Sequence, residues 1–178
     1  HPYKVKSQGI GNSQILPKDY RQKGDIELVL REMAEQVAVR LRRVRKKTTC
    51  VSIHVGYSRT EEKKSIQAQR KIDPTNQTKP LTEVVLDLFR QKYTSGAVRR
   101  VGISYQGLVD EAITVYSLFD DYEQVEKEEK LQKAVDTIRD EFGFTSLLKA
   151  NSLLESSRVK ARSQLVGGHS AGGLDGLT

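Results

Sequence analysis

A chain of 178 residues with 37% hydrophobic and 6% aromatic side chains, and no Trp, suits one modest aliphatic core plus a tail. One cysteine, Cys50, excludes an internal disulfide or a Cys-rich zinc site; no apolar run reaches the roughly 18–20 residues of a membrane span, and the opening residues do not read as a signal peptide. The formal charge of +7 is uneven: residues 1–110 hold 22 basic and 11 acidic side chains, residues 111–178 hold 8 and 12. A reduced, cytoplasmic protein is expected, with a polyanion-binding first part and a second part doing another job.

The first predicted strand covers Ser7–Leu16 and stops at Pro17. Gly24-Asp25 offers an N-cap for a long amphipathic helix carrying Ile26, Val29, Leu30, Met33, Val37, Leu41 and Val44 on one face. Basic residues crowd its end, from Arg40 to Lys47, where cations suit the helix dipole. Cys50–Tyr57 alternates and is β-branched, and Ser65–Ile72 alternates again, so a hairpin is expected, closed by Asp73-Pro74-Thr75-Asn76. A second helix begins near Thr78 with Pro80 in its first turn and stops before Gly96; Val98–Tyr105 is the last strand. Beyond residue 110, Glu126–Phe142 reads as a helix, Ser146–Leu154 as a second short one, and Gly167–Gly173 as flexible by composition.

The order β-α-β-β-α-β predicts an α+β domain: a four-stranded antiparallel sheet with both helices on one face. Residues 1–110 would form this polyanion-binding domain, residues 111–123 a linker, and residues 124–178 a helical, then flexible tail. Strand alternation turns Val51, Ile53, Val55, Tyr57, Ile66, Ala68, Val101 and Ile103 toward the helices. It leaves Ser52, His54, Gly56, Ser65, Gln67, Gln69, Lys71, Arg100, Gly102 and Ser104 on the open face, which is small, polar and basic.

Catalytic chemistry finds no support in these residues. The predicted strands carry no carboxylate for a two-metal site, and His1, His54 and His169 lack partners at metal spacing. Gly9-Ile10-Gly11 lacks the third glycine and following helix of a dinucleotide fingerprint, and Cys50 reads as a packed strand residue. No catalytic residue, metal ligand or cofactor is assigned. Small residues would instead let a phosphate backbone approach the sheet closely, within reach of main-chain N–H groups and of Ser, Gln, Lys and Arg side chains. For the Arg40–Lys47 run, solvated charge is the simpler reading; for Arg100, Lys71 and the polar face, phosphate binding is preferred. An RNA-recognition motif shares the topology, but its bases stack on strand aromatics, and Val98–Tyr105 presents Arg, Gly and Ser outward. A protein-interaction module whose charge serves only solubility is the alternative from another class.

Lys6-Ser7-Gln8-Gly9 and Val98-Arg99-Arg100-Val101-Gly102-Ile103 together resemble the little finger domain of Y-family translesion DNA polymerases. Pro17-Lys18-Asp19-Tyr20, Gly56-Tyr57-Ser58, Lys71-Ile72-Asp73-Pro74-Thr75-Asn76 and Leu165-Val166-Gly167-Gly168-His169 are similar to the UmuC-type UV-resistance subgroup of Gram-positive bacteria. The resemblance implies a fragment beginning after the thumb of a right-hand polymerase, in a bacterial cytoplasm and associated with the nucleoid. The catalytic carboxylates and their Mg2+ would lie in a palm outside it. It implies a sheet that grips template-primer duplex by its backbone. By position it assigns Ser7, Arg99 and Arg100 to phosphate, and the open face adds Ser52, His54, Gln67, Gln69, Lys71 and Ser104.

Val115-Tyr116-Ser117-Leu118-Phe119 shares its last three residues with the Gln-Leu-Ser-Leu-Phe pattern of bacterial sliding-clamp ligands. It lacks the glutamine, and Tyr116 replaces the first leucine. A clamp partner through residues 115–119 is therefore expected; the alternative is that Leu118 and Phe119 pack back onto the domain or the tail helix.

Overall fold

The computed structural model describes residues 9–112, 122–148, 154, 156–162, 165–166 and 169–170. Its elements run β1 (Ile10–Tyr20), α1 (Lys23–Arg43), β2 (Lys46–Tyr57), β3 (Ile66–Thr75), α2 (Thr78–Lys92), β4 (Val98–Gln106), β5 (Val109–Asp110) and α3 (Tyr122–Phe142). A 3₁₀ turn at Phe144–Ser146, the short α4 (Val159–Arg162) and a small pair of strands, β6 (Leu165–Val166) and β7 (His169–Ser170), follow. The fold is α+β, with sheet order β1-β4-β2-β3 and every pairing antiparallel. A fifth strand, absent from the sequence reading, pairs Asp110 and Val109 with Lys46 and Lys47.

Several boundaries differ from the expected ones. β1 does not end at Pro17 but continues to Tyr20, because β1 is an edge strand where a missing N–H breaks no ladder bond. The same reasoning carries β3, the other edge, through Pro74. Helix α1 is capped by Gln22, not by Gly24-Asp25: the Asp25 and Ile26 N–H groups both donate to the Gln22 carbonyl. Asp25 lies instead in the first turn, where its charge suits the dipole. The left-handed Arg45 (φ 54°) ends the turn after α1, and β2 starts at Lys46, four residues early, because β5 offers it a partner. In the tail, a 3₁₀ turn ends at Ser146 and residues 147, 148 and 154 are not helical; most of the expected 146–154 helix, residues 149–153, lies outside the described residues, as do residues 167–168.

One face of the sheet holds the core. Val51, Ile53, Val55, Val101, Ile103 and Tyr105 meet Ile26, Leu30, Met33, Val37 and Leu41 of α1, and Leu81, Val85 and Phe89 of α2. Tyr105 is fully buried; its hydroxyl donates to the Ala34 carbonyl at 2.9 Å, and burial raises its pKa. Arg90 forks onto Glu27 (2.7 and 3.1 Å), tying α2 to α1 and holding the Glu27 carboxyl below the usual range.

The tail is strapped across the outside of the helices by charge. Asp136 and Asp140 of α3 accept from Arg42 and Arg43, and Arg139 donates to Glu35 at 3.0 Å. Part of the basic run at the end of α1 is therefore matched by α3: Arg42 is withdrawn from water onto Asp136, while Arg43 pairs with Asp140 at the exposed surface. Farther along, the Arg158 N–H donates to Glu32 at 2.8 Å and the Tyr20 hydroxyl to the Ser156 carbonyl at 3.1 Å. Burial raises the Glu32 carboxyl pKa against the opposing pull of the Ser157 hydroxyl and the Arg158 and Val159 N–H groups.

Candidate nucleic-acid interface

The face opposite the core carries no secondary structure among the described residues, and its side chains form rows across the strands. Ser13, Gly102, His54 and Gln67 are directly opposed in turn, as are Gly11, Ser104, Ser52 and Gln69. A third row sets Ile15 against Arg100 and Arg100 against Gly56; a fourth sets Gln106 against Cys50 and Cys50 against Lys71. The two central rows line a shallow trough of ≈ 920 Å³. Gln67, Gln69, Lys71 and Arg100 are exposed; Ser52, His54 and Ser104 are half-buried.

The trough exists because its floor is glycine and serine. A Cβ at Gly11 would stand 2.8 Å from the Ile103 carbonyl oxygen, which close strand packing forbids. At Gly102 it would meet Ser13 Cβ at 3.4 Å, and at Gly56 Arg100 Cβ at 3.3 Å. β1 supplies Gly11, Ser13 and Ile15 to this face, three residues beyond those expected from the sequence. The signal was available in the alternation of positions 11, 13 and 15 against buried Leu16. Cys50 was expected to be packed; it is half-buried on the open face, because Val51 takes the core side. Ser65 precedes β3 and does not join a row.

A β-bulge sets the two arginines. Val98 pairs with Tyr57 and Tyr20, but the next partnered residue is Arg100, opposite Gly56 and Ile15, which leaves Arg99 as the extra residue. Simple alternation would send Arg99 toward the helices. The bulge leaves both arginines exposed, which accounts for an Arg-Arg pair on one strand. Arg99 lies 3.4 Å from Asp19, while Arg100 makes no ion pair among the described residues. The strand entrance is fixed from behind: Gly96 turns at φ 118°, a Cβ there would stand 3.1 Å from the Tyr57 ring, and Tyr93 donates to the Gly96 carbonyl at 2.8 Å.

Ser7 and the whole of Val115, Tyr116, Ser117, Leu118 and Phe119 lie outside the described residues. Among the described residues no three His, Cys, Asp or Glu side chains gather as metal ligands, and no helix is long and apolar enough to cross a membrane. The open sides of the central strands carry no Phe, Tyr or Trp; Tyr105 points into the core, and the one ring on these sides is the half-buried imidazole of His54, so the face lacks the row of aromatics on which a recognition sheet stacks successive bases.

Residues 7–118 match the model of the impB/mucB/samB family C-terminal domain. The chain belongs to that family. This is the little finger domain of the Y-family polymerases that the sequence motifs anticipate, a DNA-repair family. UvrX of Bacillus subtilis (strain 168), named for UV-damage repair, is 34% identical over 160 residues, 89% of this chain and 38% of UvrX. A DNA polymerase IV 2 of Halalkalibacterium halodurans is 30% identical over 165 residues, 92% of this chain and 40% of that protein. The chain thus spans about two-fifths of the length of the curated relatives it matches. A solved complex of a beta-clamp processivity factor with the little finger domain of PolIV contains a chain similar at TM-score 0.47 and 12% identity, covering 64% of this chain and 100% of that one.

Within this little finger domain, the subgroup motifs serve mainly as framework. Tyr20 is buried and Asp19 faces Arg99. The Tyr57 ring stacks on Tyr93 at 6.4 Å, and the Ser58 N–H donates to the Ala97 carbonyl. Asn76 donates to the Lys46 carbonyl at 3.2 Å while its own carbonyl accepts from Arg42 at 2.7 Å. These residues aim the strands that carry the polar face.

Proposed function

We propose that this little finger domain holds duplex DNA by its sugar-phosphate backbone, without reading sequence, as part of a translesion DNA polymerase. The observation that carries the reading is the open face: rows of Gly, Ser, His and Gln low enough for close approach, flanked by exposed Arg99, Arg100 and Lys71. Ser52, His54, Gln67, Gln69 and Ser104 offer hydrogen bonds to phosphate oxygens, and Ser7 extends the set at the start of the chain. Such contacts position a duplex and carry no base information. Metal-dependent nucleotidyl transfer would belong to a palm outside this chain, where Mg2+ would be held. The protein would act in the bacterial cytoplasm, on the nucleoid.

The test is a salt titration of the full chain on a random-sequence duplex. With about six phosphates neutralised, affinity falls by roughly three orders of magnitude between 50 and 200 mM salt. Binding that ignores salt, or that demands one sequence, sinks the proposal. Recruitment of a sliding clamp by residues 115–119 is the finer part of the reading and rests on Ser117-Leu118-Phe119. Replacing Leu118 and Phe119 together by alanine abolishes clamp binding in a pull-down with the full chain and leaves duplex affinity unchanged; retained clamp binding removes the motif from that role.

A further inference from the structure

The alternation that buries Leu16 turns its neighbour Ile15 the other way, where it is 62% exposed. An isolated exposed aliphatic residue needs no special account. Ile15 is set apart by its position. It is the only large aliphatic side chain among the described residues of the open face, and it stands directly opposite Arg100 in the β1–β4 ladder. Directly opposed side chains on one sheet face are about 4.5–5.5 Å apart at Cβ, close enough to contact one nucleotide together. Beyond Arg100 the row is bare, because Gly56 has no side chain and a Cβ there would stand 3.3 Å from that of Arg100. The strand edge is also held in place: the Arg40 guanidinium donates to the Gly11 carbonyl at 3.1 Å.

A DNA backbone alternates charged phosphates with the hydrocarbon of deoxyribose. A guanidinium beside an aliphatic group matches that alternation; two polar groups would not. We propose that Ile15 packs against the deoxyribose carbons of the nucleotide whose phosphate Arg100 holds. Ile15 then gives the grip an apolar component that counterion release does not govern. The proposal rests on the reading of the open face as a backbone-binding surface.

The two ideas separate in one experiment. Duplex affinity is measured from 50 to 200 mM salt for the wild-type full chain and for Ile15→Ala, Ile15→Thr and Ile15→Val. Ile15→Ala and Ile15→Thr weaken binding about fivefold at every salt concentration, with the slope of log K on log salt unchanged. Ile15→Val keeps most of the affinity. Threonine and valine keep the β-branch and have the same shape as each other, so a loss confined to threonine and alanine reports apolar contact and not a damaged strand. A wild-type chain with no salt-dependent binding overturns the reading of the face itself. Wild-type binding with all three variants unchanged overturns the Ile15 contact alone. A shallower slope in the variants shows that Ile15 acts by placing Arg100, and likewise overturns the contact.

Discussion

Replacing Arg99 and Arg100 together by glutamate weakens duplex binding at least about fiftyfold at 100 mM salt. Each phosphate neutralised contributes a slope of about 0.9 in log K against log salt, or roughly a factor of eight at that concentration, and two contributions multiply. Charge reversal adds repulsion to the loss. The slope itself falls by about two units, which separates lost phosphate contacts from a general weakening. The fold is not at stake, since both side chains are exposed and the one ion pair they make among the described residues, Arg99 to Asp19, spans 3.4 Å at the surface. Exposed pairs of this kind contribute roughly 0–1 kcal/mol, so the melting temperature moves by only a few degrees. Asp19→Asn works in the opposite sense: it frees Arg99 from its carboxylate and tightens binding a few-fold. Unchanged affinity in the double glutamate variant, in a chain that melts normally, removes the bulge from the interface.

The bulge also marks where the sequence stops being legible. Helix α2 could be placed from Thr78 and Pro80, and the polar face from the alternation of Cys50–Tyr57, because both signals are local and periodic. Arg99 breaks a period of two by one residue, and nothing in Val98-Arg99-Arg100-Val101 marks which residue is the extra one. Pro17 read as a stop because whether proline ends a strand depends on whether that strand lies at an edge, which is a property of the sheet. β5 is two residues long and has no pattern of its own; it and the first two residues of β2 form one ladder that neither segment signals alone. The strap of α3 is the largest feature that sequence did not reveal. Its contacts join charges 94 and 97 positions apart, and an acidic helix that pairs with its own domain has the same composition as one that waits for a partner.

That strap makes Arg42 a charged side chain whose loss costs the fold heavily. Its Nε and Nη2 fork onto Asp136 at 2.6 and 3.2 Å, while Nη1 donates to the Asn76 carbonyl at 2.7 Å and to Thr78 Oγ1 at 3.1 Å. One guanidinium thus joins the end of α1, the entrance to α2 and the middle of α3. The Arg42 and Asp136 side chains retain 11% and 19% of their exposure, so truncation leaves the carboxylate with Gln132 as its remaining donor, at 3.1 Å, and strands the Asn76 carbonyl with little water to replace what is lost. Arg42→Ala is expected to destabilise the chain by about 3 kcal/mol, lowering the melting temperature by roughly 6–12 °C. Lysine does not rescue it, because an ammonium cannot serve a bidentate carboxylate and two further acceptors in a plane. The control lies one residue away: Arg43 reaches Asp140 at the same 2.6 Å, but both side chains are 55% exposed. Arg43→Ala should cost at most about 0.5 kcal/mol, since water screens what distance alone would make strong. A double-mutant cycle on Arg42 and Asp136 should return a coupling above about 1 kcal/mol, and the same cycle on Arg43 and Asp140 close to zero. Equal couplings for the two pairs would mean that burial does not govern the strap and that α3 is held by something other than the Arg42 fork.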